Sequence, residues 1–398
     1  MGTMVVRGKF GSILFWFIGS EKCEIGDSPL FHFLIIFALM MSDSKNVKLG
    51  TVPNFTYPML FEPNLHTVVW GGDRLCRWKG LPEQDHVGES WEVSAVESSP
   101  SVVANGAWAG KTLPEVVTSA PEEILGKAVA KRNGGKMPLL VKFIDARNDL
   151  SIQVHPNDEM ALREHNKLGK SEMWYVLDAE PGACIYAGFK KKLGADEYKR
   201  MVADGTITDA LARHEAHAGD VFYIPAGRVH AICSGILLAE IQQSSDVTYR
   251  IFDYNRPGMD GKPRELHTAY AAQALNFKVQ RKYRTDYAVR SERANLIMES
   301  KFFSARVTEV EHEFHRNLLK YDSFIITMCL KGDCVIKVRQ TGDEVTLKEG
   351  YSCMIPAAIA DYDIRPVDGS CKVLDAFIDN NNGGVMNKIH RLFHRNKY

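Results

Sequence analysis

The sequence has no excess of charge of either sign. Its 49 Lys and Arg residues are balanced by 49 Asp and Glu residues, and no basic stripe is present. Nucleic acid is therefore not expected as a partner, because such binding depends on clustered positive charge. Since the chain has no global positive field, an anionic ligand must be recognised by a local cluster of cations.

A disulfide framework is also missing. The eight cysteines form no CxxC pair and no regular spacing, which predicts scattered, mostly buried thiols and a reducing, cytoplasmic location. They are Cys23, Cys76, Cys184, Cys233, Cys329, Cys334, Cys353 and Cys371.

No apolar run is long enough for a bilayer span of about 20 residues. Residues 10–19 and 30–41 are apolar but short, and no signal-peptide cleavage site is evident after them. The residues Met-Ser-Asp-Ser from Met41 resemble the natural start of a protein, so translation from Met40 or Met41 is expected. Residues 1–41 are then a non-native extension or unstructured segment. A membrane anchor is the alternative, and otherwise no membrane partner is expected.

The rest of the chain consists of short strand-like segments separated by Gly and Pro turns. This pattern predicts a mostly β protein, a sandwich or barrel such as the jelly roll. A length of 398 residues suggests two domains. Helices are expected over residues 113–132, where Pro121 opens a second short helix, and over residues 195–213. The predicted strands lie within residues 60–70, 90–97, 138–155, 172–177, 183–187, 219–232 and 236–242.

One segment recurs at a fixed offset of 131 residues. Gly219–His230 can be laid over Gly350–Asp361 with matching Gly, Ile, Pro and Ala. Such repetition predicts two related barrels. Asp361 stands where the first copy has His230, so the second copy lacks this histidine. We therefore expect a catalytic domain over residues 42–290 and a C-terminal domain without metal ligands over 291–398.

Three segments carry polar residues where a β core should be apolar. On a strand, residues 151, 153 and 155 point to one face, which brings a hydroxyl, an amide and an imidazole together. Glu172 begins an otherwise hydrophobic strand, and a Pro-Ala-Gly turn delivers His230 to the start of another. A solvent-facing sheet surface is the ordinary alternative for the first segment.

Two imidazoles and one carboxylate are suitable ligands for zinc, and a neutral amide oxygen can complete the shell. Here the imidazoles are those of His155 and His230, and the carboxylate is that of Glu172. Iron or manganese would accept the same ligands, so the residues alone do not select the metal.

The strings GESWEVS, SIQVHPND, KSEMWYVL, GDVFYIPAGRVHAI and SSDVTYRIFDYNR together resemble the class I phosphomannose (mannose-6-phosphate) isomerases in their shorter bacterial form. The resemblance runs from about residue 53 to the end. It implies a bicupin fold, two jelly-roll β-barrels with a small helical insertion, in a monomer or dimer. It also implies one Zn²⁺ per chain, with the ligands Gln153, His155, Glu172 and His230.

The same resemblance implies reversible conversion of mannose 6-phosphate into fructose 6-phosphate through a cis-enediol(ate). Arg250 matches the catalytic arginine of the family and is expected to stabilise negative charge on the sugar oxygens. Glu240 matches another active-site position, and either Glu240 or metal-bound water is a candidate for the base.

Ser151 and Lys170 are the residues implied for the phosphate, because a hydroxyl and an ammonium suit a phosphate dianion. Lys142 and Arg256 are weaker candidates for that role, with an exposed cation as the ordinary alternative.

Two other functions use similar residues. An iron oxygenase of the same superfamily would also place two His and one Glu in a barrel, but it usually has a His-x-His pair where this chain has Gln153-Val-His155. A non-catalytic sugar-binding protein would be favoured if the ligands or Arg250 were missing, and they are present between residues 151 and 250.

Overall fold

The computed structural model describes residues 55, 57–317, 319 and 321–380, together with the backbone of residues 2–8 and 11–17. The chain forms two compact units, Met1–Pro53 and Asn54–Tyr398. The first unit contains an antiparallel hairpin of strands β1 (Gly2–Gly8) and β2 (Gly11–Phe17). The apolar run at residues 30–41 lies outside the described residues, so the proposed start of translation stays a prediction. No helix in the described part of the chain is both long and apolar enough to cross a membrane.

The second unit consists mainly of antiparallel strands. Up to residue 285 they are β3 (Met59–Leu60), β4 (Leu65–Gly72), β5 (Val87–Val93), β6 (Leu139–Ala146), β7 (Ile152–Val154), β8 (Glu172–Ala179), β9 (Cys184–Phe189), β10 (Leu211–Glu215), β11 (Val221–Ile224), β12 (His230–Ile232), β13 (Ile236–Gln243), β14 (Tyr249–Phe252) and β15 (Arg284–Thr285). The later strands are β16 (Asn295–Glu299), β17 (Ser304–Val310), β18 (Phe314–Asn317), β19 (Ile325–Lys331), β20 (Cys334–Val338), β21 (Glu344–Leu347), β22 (Ser352–Ile355), β23 (Asp361–Pro366) and β24 (Cys371–Phe377).

The α-helices are short and lie between strands. Those within residues 113–132 and 195–203 were predicted, but residues 211–213, expected to be helical, belong to strand β10, and the helices at 74–78 and 268–274 were not predicted. Thr112 caps one of the predicted helices through a capping box with Glu115, and Pro121 occupies the first turn of the next, where its missing N–H costs nothing. The helices are α1 (Arg74–Trp78), α2 (Leu113–Ser119), α3 (Pro121–Leu125), α4 (Lys127–Arg132), α5 (Asp158–His165), α6 (Ala195–Ala203) and α7 (Thr268–Ala274). Two 3₁₀ turns cover Gly106–Trp108 and Ile207–Ala210.

The first sandwich packs a five-stranded sheet, in the order β10-β9-β12-β7-β14, against a seven-stranded sheet, in the order β15-β11-β8-β13-β6-β4-β5. Apolar side chains such as Trp174, Phe222 and Ile185 fill the space between the two sheets. The other face of the five-stranded sheet packs against helices α5, α6 and α7, with Tyr198 and Tyr249 in that contact. Both faces of the five-stranded sheet are thus covered.

The second sandwich packs a six-stranded sheet, in the order β16-β17-β24-β19-β22-β3, against a four-stranded sheet, in the order β18-β23-β20-β21. Its six-stranded sheet and the seven-stranded sheet of the first sandwich share one continuous apolar core with helices α2 to α4. Strand β3 does not follow the predicted division near residue 290, because Leu60 pairs with Cys353 in the second sandwich.

The predicted repeat is present in the structure. Strands β11 and β22 start and end at the same places of the two copies, and His230 and Asp361 each open the following strand. The glycine that begins each copy, Gly219 or Gly350, has a positive φ, a conformation that glycine adopts without strain. The mostly β fold with two jelly-roll units is confirmed. Within the described residues the strands form open, facing sheets and no closed barrel.

A buried ion pair connects the two sandwiches. The Nζ atom of Lys79, just after α1, lies 2.7 Å from Oε1 of Glu92 on β5 and also donates to the backbone carbonyl of Gly350. The hydroxyl of Tyr351 donates to the Lys79 carbonyl over 2.9 Å. Burial lowers the pKa of Lys79, and the Glu92 carboxylate opposes that shift. The charge of Lys79 is therefore balanced by a single carboxylate at the sandwich interface.

Replacing that carboxylate with an amide should destabilise the protein strongly. Glu92→Gln leaves the buried Lys79 ammonium without a counter-charge, a change that typically costs about 3–5 kcal/mol. Glu197→Gln is the matched control, because Glu197 pairs with Lys191 on the surface and should change the free energy of unfolding by about 0–1 kcal/mol. Urea denaturation of both variants measures the difference, and equal effects would contradict the prediction.

Candidate active site

Strand register places a set of polar side chains on the inner face of the first sandwich. In the seven-stranded sheet Glu240 lies directly between Trp174 and Lys142, and Gln242 lies opposite Glu172. Directly opposed residues in neighbouring strands share a face of the sheet. This face is apolar elsewhere, so the polar patch occupies one end of a hydrophobic interior.

The five-stranded sheet, which faces the seven-stranded one, contributes a second row of polar side chains. Gln153 on β7 is opposite both His230 on β12 and Arg250 on β14, so these three residues share a face. His155 lies immediately after β7, two residues beyond Gln153, and is therefore on the same side. The alternation predicted for residues 151, 153 and 155 brings Ser151 and His155 into buried positions, with Gln153 half-buried.

Three of the predicted metal ligands meet between the sheets. Oε2 of Glu172 lies 3.3 Å from Nε2 of His155, and its Oε1 lies 3.3 Å from Nε2 of His230. One potential ligand atom from each residue falls within 4.8 Å of the other two. All three side chains are buried, and the group is the candidate metal centre.

The hydrogen bonds of the two imidazoles orient their lone pairs toward this centre. Nδ1 of His155 is 3.0 Å from the carbonyl oxygen of Val247, and Nδ1 of His230 is 2.8 Å from that of Arg228. A carbonyl can only accept, so each Nδ1 carries a proton and each Nε2 presents a lone pair. Nε2 of His230 and Oε1 of Glu172 are buried and make no hydrogen bond. Two lone-pair atoms that face each other without a donor fit a bound cation.

The electrostatic environment supports the ligand forms of these groups. Burial, together with the charge of Lys170, lowers the pKa of His155 to about 3, and burial also lowers the pKa of His230. Burial alone would raise the pKa of Glu172, but the neighbouring Lys170 ammonium holds it well below its usual value. Neutral imidazoles and an ionised carboxylate are the states that coordinate a metal.

Lys170 lies in direct contact with this centre. Its Nζ is 2.5 Å from Oε2 of Glu172, 3.2 Å from Nε2 of His155 and 3.8 Å from Oε1 of Glu240. The side chain is buried. A substrate group bound by Lys170 would therefore lie within a few ångströms of the metal ligands, and its predicted contact with phosphate stays a prediction.

Acidic and basic groups alternate from the metal centre toward the edge of the sheet. After Lys170 comes Glu240, whose Oε2 accepts a 2.8 Å hydrogen bond from the indole of Trp174 while its Oε1 has no hydrogen bond. Nζ of Lys142 is 3.6 Å from Glu240 and 3.1 Å from Glu89. Burial and the negative charge of Glu172 raise the pKa of Glu240. An acid with a raised pKa beside a metal centre is suited to proton transfer.

The remaining predicted residues differ in their surroundings. Nη1 of Arg250 donates to the carbonyl of Glu265 over 2.8 Å, while its Nε is buried without a partner. Arg256 is bound to the carboxylate of Asp253, and Lys142 is buried between two acids. Neither Lys142 nor Arg256 is therefore the exposed cation that the sequence left open as an alternative.

The sequence alone did not assign a role to several groups that form the site. Glu89 lies in the quoted string GESWEVS and forms an ion pair with Lys142, but nothing in its own strand required a role. Trp174 was interpreted only as part of a hydrophobic strand, although its indole hydrogen-bonds Glu240. The carbonyls of Val247 and Arg228 carry no side-chain signal, so only the structure could identify them.

Comparisons with known proteins cover most of the described chain. Residues 60–185 match the model of the phosphomannose isomerase type I catalytic domain, and residues 294–377 match that of the mannose-6-phosphate isomerase cupin domain. The chain is 34% identical over 324 residues to GmuF of Bacillus subtilis (strain 168), named a probable mannose-6-phosphate isomerase. That alignment covers 80% of this chain and 98% of the relative.

Solved structures give the same result. The crystal structure of the mannose 6-phosphate isomerase from Bacillus subtilis superposes with a TM-score of 0.72 at 32% identity, covering 80% of this chain and 99% of that one. A zinc-bound mannose 6-phosphate isomerase superposes with a TM-score of 0.66 at 16% identity, covering 81% and 99%. At that identity the second likeness concerns the fold alone.

Removal of one imidazole should abolish metal binding. His230→Ala deletes a buried ligand atom, and we expect the purified variant to contain less than about a tenth of the metal of the parent protein. His165→Ala is the control, because His165 ends α5 with an exposed side chain bonded to Tyr249. Mass-spectrometric metal analysis compares the two variants. Equal metal content in both would exclude the proposed centre.

Proposed function

The chain belongs to the type I mannose-6-phosphate isomerase family, and we propose on that premise that it interconverts mannose 6-phosphate and fructose 6-phosphate with one zinc ion per chain. The observation that carries the proposal is the convergence of His155, Glu172 and His230 beside Lys170 and Glu240. A metal ligand set and a buried acid meet there, and these groups can stabilise the enediolate and transfer the proton in an aldose–ketose isomerisation. The resemblance inferred from the five motifs is confirmed.

Zinc is the proposed metal, with Gln153, His155, Glu172 and His230 as its ligands. Two imidazoles and a carboxylate are typical of zinc sites, and Gln153 shares the sheet face of His230. A protein of the same fold, named a mannose 6-phosphate isomerase, was solved with zinc bound. A bound Zn²⁺ would supply a fixed positive charge for the oxygens of the sugar. All seven described cysteines are free thiols, which supports the proposed cytoplasmic location.

We propose that Glu240 transfers the proton between C1 and C2. Burial and the charge of Glu172 raise its pKa, so this carboxylate takes up a proton more readily than an ordinary one. Trp174 fixes one carboxyl oxygen and leaves the other, Oε1, without a hydrogen bond.

Arg250 lies on the five-stranded sheet, opposite the sheet that carries Glu240, and has a different role. It shares a face with Gln153 and holds a permanent charge, because a guanidinium stays protonated in proteins. We assign it to orientation and electrostatic stabilisation of the cis-enediolate. Ser151 lies on the same strand face as Gln153, and it is the proposed phosphate contact together with Lys170.

The competing functions are less well supported. An iron oxygenase with the same fold would share the two imidazoles and the carboxylate, but the matches to the isomerase domain models and relatives do not favour it. A non-catalytic sugar-binding protein would have no use for a buried acid with a raised pKa between two lysines.

Purified protein should convert mannose 6-phosphate into fructose 6-phosphate, and a chelator should remove the activity because the ligand set holds a metal that the reaction uses. A coupled assay for fructose 6-phosphate, with EDTA and with zinc restored, measures both effects. Turnover that is insensitive to the chelator would contradict metal dependence. An inactive zinc-loaded protein would contradict the isomerase assignment.

Replacement of the proposed proton carrier should slow the chemical step without affecting the metal. Glu240→Gln keeps an oxygen for the Trp174 indole but cannot accept a proton, so kcat should fall by about 10²–10⁴-fold. Glu197→Gln, on the surface of α6, should leave kcat unchanged. Steady-state kinetics and metal content are measured together. A Glu240→Gln variant with full metal and nearly full kcat would assign the proton transfer elsewhere.

A further inference from the structure

Two cysteines lie side by side on the first sandwich, away from the metal centre. Cys184 begins β9 and Cys233 directly follows β12, and the register of these strands makes them opposite neighbours. The Cys233 amide donates to the Cys184 carbonyl over 3.0 Å. Their Sγ atoms are only 2.9 Å apart. The backbone therefore holds the two thiols in contact with each other.

Solvent reaches this pair through a pocket. Both cysteines line an open cavity of about 330 Å³ whose wall also includes Asp149, Arg213 and Tyr254. The two side chains are mostly covered, but a small reagent can reach them through the pocket. The accessibility of this thiol pair distinguishes it from thiols enclosed in a hydrophobic core, which a reagent cannot reach.

The two thiols have different acidities. The pKa of Cys184 is lowered to about 7, first by the hydrogen bond with Cys233 and then by Arg213, against the opposing effect of burial. The pKa of Cys233 is raised by the same hydrogen bond and by burial. A lowered pKa favours the thiolate of Cys184, which is the reactive form of a cysteine. One sulfur is suited to attack an oxidant and the other to resolve the product.

The second sandwich contains a contrasting group of thiols. Cys329, Cys334 and Cys371 lie in its apolar core. Contact with Cys329 and burial raise the pKa of Cys334, and contact with Cys334 and burial raise that of Cys371. Buried thiols with raised pKa values are unreactive. The same chain thus provides an internal control for the pair on the first sandwich.

We propose that Cys184 and Cys233 form a redox modification site that hydroperoxides convert reversibly into an intramolecular disulfide. The Cys184 thiolate attacks one peroxide oxygen, the O–O bond breaks, and Cys184 becomes a sulfenic acid as the other oxygen leaves as hydroxide or alcohol. The Cys233 sulfur then displaces the sulfenic oxygen, which leaves as water with the thiol proton, and the S–S bond forms. Two thiols lose two electrons, and hydrogen peroxide is reduced to two molecules of water.

The pairing of the strands also favours reversibility. Opposite residues of antiparallel strands have Cβ atoms about 4.5–5.5 Å apart, whereas disulfides prefer about 3.8 Å. Formation of the disulfide must therefore pull β9 and β12 closer together than their backbone hydrogen bonds hold them. Bonds that form under such a constraint are more easily reduced, so a thiol reductant should reopen this one.

The test uses the full-length protein after reduction and removal of the reductant. Hydrogen peroxide is added in small molar excess at pH 7, free thiols are alkylated, and peptide mass spectrometry locates the cross-links. We expect one new linkage, between Cys184 and Cys233, with the loss of two hydrogens and full reversal by dithiothreitol. Without peroxide, Cys184 should be alkylated at least tenfold faster than any other described cysteine.

Single substitutions separate the two roles. Cys233→Ser should leave Cys184 as a sulfenic acid that dimedone traps, and Cys184→Ser should abolish peroxide sensitivity at Cys233. Cys371→Ser, in the core of the second sandwich, should leave the linkage unchanged. Cross-links that join other cysteines, or a pair that stays reduced while free glutathione is fully oxidised, would overturn the proposal. So would a linkage that dithiothreitol cannot reopen.

Discussion

The carboxylate of Glu172 is the group on which the arrangement of the first sandwich depends. A buried, ionised carboxylate without partners is very costly, so it requires positive charge or a metal around it. Lys170 supplies one charge on the same strand segment, and His155 and His230 approach from the facing sheet. Each imidazole is in turn oriented by a backbone carbonyl. The two sheets are thus connected by polar contacts where their apolar contact is interrupted.

The architecture explains why this interruption is tolerated. Apolar packing covers the seven-stranded sheet on both faces, toward the first sandwich interior and toward the second sandwich. A polar patch at one end of one face therefore removes only part of its contacts. The second sandwich supports the sheet from behind through apolar side chains and through the Gly350 carbonyl, which accepts a hydrogen bond from Lys79. Its own counterpart of His230 is Asp361.

Much of this organisation could be predicted from the sequence, because period-two alternation, turn residues and the repeat are local signals. The three ligands of the candidate centre were recognisable as polar residues in apolar strands. The pairing of Glu89 with Lys142 was not, since it depends on which strands become neighbours. The hydrogen bond from Trp174 to Glu240 depends on register between β8 and β13, which no single strand reveals. The contact of Cys184 with Cys233 likewise depends on the alignment of β9 with β12.

Strand β3 has a consequence for how the chain is made. It precedes almost every other strand in the sequence, yet its only ladder partner among the described residues is β22, nearly three hundred residues later. A ribosome exposes Met59 and Leu60 long before it synthesises Cys353 and Met354. The outer edge of the six-stranded sheet can therefore close only near the end of translation, after the catalytic sandwich has emerged. Until then this segment is held from its other side alone, by the Ala104 amide that donates to the Leu60 carbonyl and by the bridge between Phe61 and Val103.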